Sequence, residues 1–104
     1  MNHTTEYLIL FDEGVRKRHA HRTDKGKVVY FVVQLEVKAD DAWRVVIRYD
    51  CAHGFAHLDQ YDHQGNQRKT ELNLGFESAL SFADWDINEN WSKYIEQFRQ
   101  GGPR

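Results

Sequence analysis

A chain of 104 residues, 40% of them hydrophobic, predicts a single domain over residues 1–104 with a core of its own. The net charge of −2 points to no partner class, and the single cysteine, Cys51, excludes an internal disulfide and a cysteine-based zinc knuckle. No uncharged apolar run approaches ~18 residues and Met1–Glu6 lacks a basic leader pattern, so a cytoplasmic protein with no membrane contact is expected.

Residues 6–11 read as a short strand, 12–14 as a turn, 15–22 as a polar strand pairing back, and 24–26 as the next turn. Residues 28–38 carry the strongest strand signal. Val29, Phe31, Val33, Leu35 and Val37 fall on one face at period 2. Their neighbours pass from Val28, Tyr30 and Val32 to Gln34, Glu36 and Lys38, so the first end is expected to be buried on both faces and the second half exposed. Asp40-Asp41 closes a hairpin. In residues 43–51, Trp43, Val45, Ile47, Tyr49 and Cys51 are placed inward, with Arg44, Val46, Arg48 and Asp50 opposite.

Gly54 interrupts the alternation as a bend or bulge would. Residues 55–61 resume as a strand, 62–66 form a turn, and 67–72 read as a polar edge strand whose charges discourage aggregation. From there the period changes. Phe76, Ala79, Leu80, Ala83, Ile87, Trp91, Tyr94 and Phe98 gather in a helical stripe about 120° wide. The cap region lies at Asn73 or Gly75. Asn88-Glu89-Asn90 is a weak helix segment, which leaves two short helices as an alternative to one long one. Pro103, beside Gly101-Gly102, marks a frayed end. The expected fold is α+β: an antiparallel meander of five to six strands with one long, or two short, C-terminal helices packed on one face.

Chemistry concentrates in residues 48–59, where one arginine, two acids and two histidines surround Gly54. Arg48 and Asp50 share the outer strand face, either as an exposed ion pair or as a phosphate-holding arginine oriented by a carboxylate. His53 and His57 stand four residues apart around the glycine, and Asp59 shares the face of His57 in a regular strand. An imidazole with an ordinary pKa of ~6.5 serves as acid or base near neutrality. Structural histidines and a metal pair are the other readings. No H-E-x-x-H pattern is present, and the site is read as free of metal and cofactor.

Residues 16–27 carry six basic side chains against Asp24 alone. Arg18 and Arg22 surround the His19/His21 pair and discourage a cation there, and Arg16 adds to the same basic segment. An anion-binding surface is the functional reading of these five residues, and a solvated strand is the plain one. Residues 76–98 are acidic in turn, so the two segments are expected either to face each other or to stay solvated. Cys51 reads as a small core residue. Phe82 and Trp85 fall off the helical stripe and together read as a protein interface, for a homodimer or a cognate partner.

Two stretches carry a resemblance: Val46-Ile47-Arg48-Tyr49-Asp50-Cys51-Ala52-His53-Gly54-Phe55-Ala56-His57-Leu58-Asp59, and Glu89-Asn90-Trp91-Ser92-Lys93-Tyr94-Ile95-Glu96-Gln97-Phe98. From about residue 28 onward they resemble a family of small uncharacterised prokaryotic proteins, a domain of unknown function. More distantly, the Arg-Tyr-Asp-x-Ala-His start with a later histidine resembles the TumE-like toxins of toxin–antitoxin pairs. In that family the segment after the alanine is richer in histidine and proline, where this chain has Gly54-Phe55-Ala56. The resemblance implies a growth-inhibiting protein that acts on RNA and is neutralised by a co-encoded antitoxin. The expectation is therefore a toxin-like, metal-independent ribonuclease. Arg48 would hold phosphate, His53 and His57 would be the acid and base, and Asp50 and Asp59 would orient them. Residues 16–27 would attract the RNA backbone. The rival expectation is a non-enzymatic protein-binding module, or a homodimeric accessory protein, working through Phe82 and Trp85.

Overall fold

A computed structural model describes residues 2–101; Met1, and Gly102 and Pro103 of the end read as frayed, lie outside that range. The elements are β1 (Asn2–Asp12), β2 (Val15–Asp24), β3 (Lys27–Ala39), β4 (Ala42–Asp50), β5 (His57–Tyr61), β6 (Gln67–Glu71) and α1 (Phe76–Arg99). The strands form one antiparallel sheet in chain order, β1 to β6. The helix packs across β3 and β4 on one face. The fold is thus α+β, an antiparallel meander with one C-terminal helix.

Turn chemistry sets the hairpins. Lys25 and Gly26 both have positive φ (53° and 79°), as do Asp40 and Asp41 (53° and 64°). Two-residue loops of this kind match the right-handed twist of the flanking strands. The core lies between sheet and helix. Phe31, Val33, Leu35 and Val37 of β3 and Ile47 and Tyr49 of β4 meet Ala79, Ala83, Ile87, Ile95 and Phe98 of α1. Cys51 joins this core as expected.

Two bulges overturn part of the alternation read from sequence. Arg22 pairs with Tyr30 but Thr23 pairs with Val28, so Val29 is an extra residue in β3. Val28 takes the core side and Val29, expected inside, is 42% exposed. In the same way Leu35 pairs with Ile47 but Glu36 with Val45, which leaves Val46 over in β4. Before that bulge every side chain changes face. Trp43 and Val45, expected against the helix, lie on the opposite face. Arg44 lies on the helix face, its guanidinium 5.1 Å over the ring of Phe98.

The burial gradient of β3 is also reversed. Tyr30 is exposed, whereas Gln34 and Glu36 are buried. The reason is a polar network supplied by neighbouring strands, which the β3 sequence does not contain.

The helix runs unbroken for 24 residues from an N-cap at Gly75. The weak segment survives because both asparagines find partners. The side-chain oxygen of Asn88 accepts from Lys17 Nζ at 2.8 Å, and Asn90 donates to Asp86 at 2.8 Å. No helix among the described residues is long and apolar enough to cross a membrane.

Candidate functional site on the open sheet face

The helix covers one face of the sheet, and the candidate residues of strands β4 and β5 lie on the other. Register fixes the arrangement. Arg18 pairs with Gln34, Gln34 with Arg48, Arg48 with Asp59, and Asp59 with Lys69, so one row of polar side chains crosses five strands. In the adjacent row Asp50 pairs with His57. Arg48 Nε donates to Gln34 Oε1 at 2.8 Å, which fixes its guanidinium.

His57 is only 2% exposed. Its Nε2 lies 2.5 Å from Asp50 Oδ1 and 3.7 Å from Asp59 Oδ2. Its Nδ1 faces the Phe55 carbonyl at 3.4 Å. The chain leaves β4 through a turn in which Gly54, at φ 86°, donates its N–H to the Cys51 carbonyl. A side chain is strained at that φ, so glycine is what permits the bend. The turn leaves His53 exposed, with its ring 5.8 Å from that of His57 and stacked at 27°. The structure thus brings Asp50, His53, His57 and Asp59 together, with Arg48 in the next row.

The basic strand β2 divides by parity. Arg16, Arg18 and Arg22 share the open face. The Arg16 guanidinium lies 3.8 Å from the Trp43 ring centroid and that of Arg22 lies 5.5 Å from Tyr30. His19 and His21 point to the helix side instead. His19 Nδ1 is 3.0 Å from Asp84 Oδ1, its Nε2 is 2.6 Å from His21 Nδ1, and its ring stacks on Tyr7. The five residues read together from sequence therefore belong to two faces. Phe82 and Trp85 are exposed on α1, their rings 5.8 Å apart.

A model of a domain of unknown function, DUF7718, matches residues 1–103. The chain belongs to that family. The match extends the resemblance read from residue 28 onward over the β1–β2 hairpin as well. No curated protein and no solved structure matches this DUF7718 chain.

Three buried polar groups of the DUF7718 chain escaped the sequence reading. Glu36 accepts from Arg16 Nε at 2.5 Å, from Arg18 Nε at 3.2 Å, and from the Gln34 amide. Burial alone would push its carboxyl up; the bonds from Arg16, Gln34 and Arg18 more than offset that and hold it below its ordinary value. Lys17 is buried and donates to Asp84 at 3.0 Å as well as to Asn88. So the basic and acidic segments do face each other at this point. Asp86 accepts the hydroxyls of Tyr49 at 2.6 Å and Tyr94 at 2.7 Å. Burial and the Asp86 carboxylate both push these phenols well above the ordinary tyrosine range. The available signal was an acid, Asp86, one position before the apolar Ile87 of the helix stripe.

Proposed function

We propose that this DUF7718 chain is a small cytoplasmic toxin-like protein that cleaves RNA on its open sheet face. The observation that supports the reading best is the row Arg18, Gln34, Arg48, Asp59 and Lys69 beside the Asp50–His57 pair. A strand of RNA crossing β2 to β6 would meet arginines and a lysine along its phosphates. It would reach the imidazole of His53 at the rim, stacked on His57 in the row beside that of Arg48. Arg16 on Trp43 and Arg22 on Tyr30 extend that basic and aromatic surface.

In this reading a base removes the ribose 2′-OH proton, the oxygen attacks phosphorus, and an acid protonates the leaving 5′-oxygen. The products are a 2′,3′-cyclic phosphate and a 5′-hydroxyl end. Arg48 stabilises the charge on the non-bridging oxygens. Exposed His53 is the imidazole that substrate can reach. His57, buried between two carboxylates, positions the ring stacked on it.

The test is incubation of the purified chain with single-stranded RNA and with DNA of the same sequence. Cleavage of RNA alone, lowered about 100-fold or more in His53→Ala, supports the reading. Binding should weaken steeply with salt, and the slope of log K against log salt should fall by roughly 2 in Arg18→Ala/Arg22→Ala. Intact RNA together with salt-independent binding refutes it. Toxicity has its own readout: growth arrest of a bacterial host on expression, relieved by a co-encoded antitoxin. A second reading, a protein-binding module or homodimer, is favoured by the neighbouring exposed rings of Phe82 and Trp85.

A further inference from the structure

The geometry points to a divalent transition-metal site at Asp50, His57 and Asp59, with zinc or manganese as the class of ion it takes. The inference goes beyond the RNA reading and does not depend on it. One ligand atom from each of these three buried residues can be chosen so that all lie within 4.8 Å of one another. Two carboxylate oxygens and one imidazole nitrogen are a donor set that first-row divalent ions accept, and three protein ligands leave a position open for water or an anion.

The orientation of the imidazole agrees. His57 Nδ1 faces the Phe55 carbonyl, so in the tautomer that donates to it the Nε2 lone pair is directed at the carboxylates. A backbone carbonyl on the distal nitrogen is a common way of fixing a metal-bound histidine.

A second observation separates a metal site from a simple His–Asp pair. Asp59, whose side chain is 7% exposed, has an Oδ1 with no hydrogen-bond partner among the described residues. The nearest cation on it is Lys69 Nζ at 4.0 Å, on a half-exposed side chain. A buried carboxylate oxygen without a partner is costly. A proton on Nε2 would serve Asp50 at 2.5 Å and leave that oxygen as it is. One divalent ion would neutralise both carboxylates and engage the imidazole as well.

The site departs from the metal-free expectation drawn from sequence. There, Asp50 and Asp59 read as carboxylates that orient the histidines rather than as ligands beside His57.

The full chain, stripped of metal with chelator, is titrated with zinc chloride and with manganese chloride by calorimetry. One equivalent of either should bind. With free ion at about 100 times Kd, Tm should rise by about 10 °C or more. Asp59→Asn keeps the shape and should lower affinity about 100-fold or more, since even groups one step removed from a metal are worth about 10–100-fold. His21→Ala should bind as the parent does, which distinguishes this site from the His19/His21 pair. The X-ray absorption spectrum of the zinc-loaded parent should show one imidazole among oxygen ligands. That measurement decides the matter if Asp59→Asn fails to fold. No binding of either ion, equal binding by folded Asp59→Asn, or a spectrum with no imidazole or with two would overturn the site. The two readings separate cleanly. Metal binding without RNA cleavage removes the nuclease and keeps the site; cleavage in chelator without metal binding does the reverse.

Discussion

At Glu36, hydrogen bonds from Arg16, Arg18 and Gln34 converge on one carboxylate that is almost out of water. Its lowered carboxyl makes stability depend on pH with a definite sign. The folded state holds the charged form more tightly than the unfolded chain does. The contribution is therefore fully present above the unfolded glutamate value of about 4.3 and is lost as pH falls through the lower folded value. Glu36→Gln should cost about 1–3 kcal/mol at pH 7 and much less near pH 3, as read from urea midpoints at the two pH values. An equal loss at both would show that the carboxylate charge is not what matters there. Of these partners only Gln34 was visible in the alternation of β3. Arg16 lies 20 residues away and reaches Glu36 only through strand pairing. Lys17 and Asp84, 67 residues apart, were equally out of reach. By contrast Asp50, His57 and Asp59 belong to one hairpin, and their proximity could be read directly.

Among the elements, α1 presents two distinct faces. Ala83 and Ile87 are fully buried, while Phe82 and Trp85 are 40% and 58% exposed. Ile87→Ala should cost about 2–5 kcal/mol, the range for truncating a packed aliphatic side chain. Phe82→Ser with Trp85→Ser should cost less than about 2 kcal/mol. Phe82 makes one edge contact with Tyr49, at 6.0 Å, and Trp85 stands further out. Chemical denaturation of the two variants at low protein concentration checks the order; a double variant as unstable as Ile87→Ala would place both rings in the core. The helix was legible because one period holds through the whole stripe and because Asn88 and Asn90 only weaken it locally. The strands were legible in number, order and turn residues but not throughout in facing. A single extra residue at Val29 and another at Val46 inverts the parity of the strand residues before it, and no residue type marks either position.

As a whole, the molecule is a sheet with two free edges, and they differ in character. Strand β6 is exposed throughout and polar, as its composition implied. Strand β1 is also an edge, yet it exposes Tyr7, Leu8, Ile9 and Leu10. A long apolar edge is a template for pairing with another chain. Leu8→Lys with Leu10→Lys should leave the circular dichroism spectrum unchanged and reduce self-association at high concentration, measured by light scattering. Unchanged scattering would mean that association, if any, uses the helix. The meander has one more consequence, in time rather than in space. Each strand pairs with the strand made just before it, so hairpins can form as the chain leaves the ribosome. Their shared apolar face has no such luck: Phe31, Val33 and Leu35 pack under the helix of residues 76–99, which is translated after the strands it covers. Until then a nascent chain would carry a finished sheet with its greasy side open, a natural hold for a chaperone and a weak point for any message cut short.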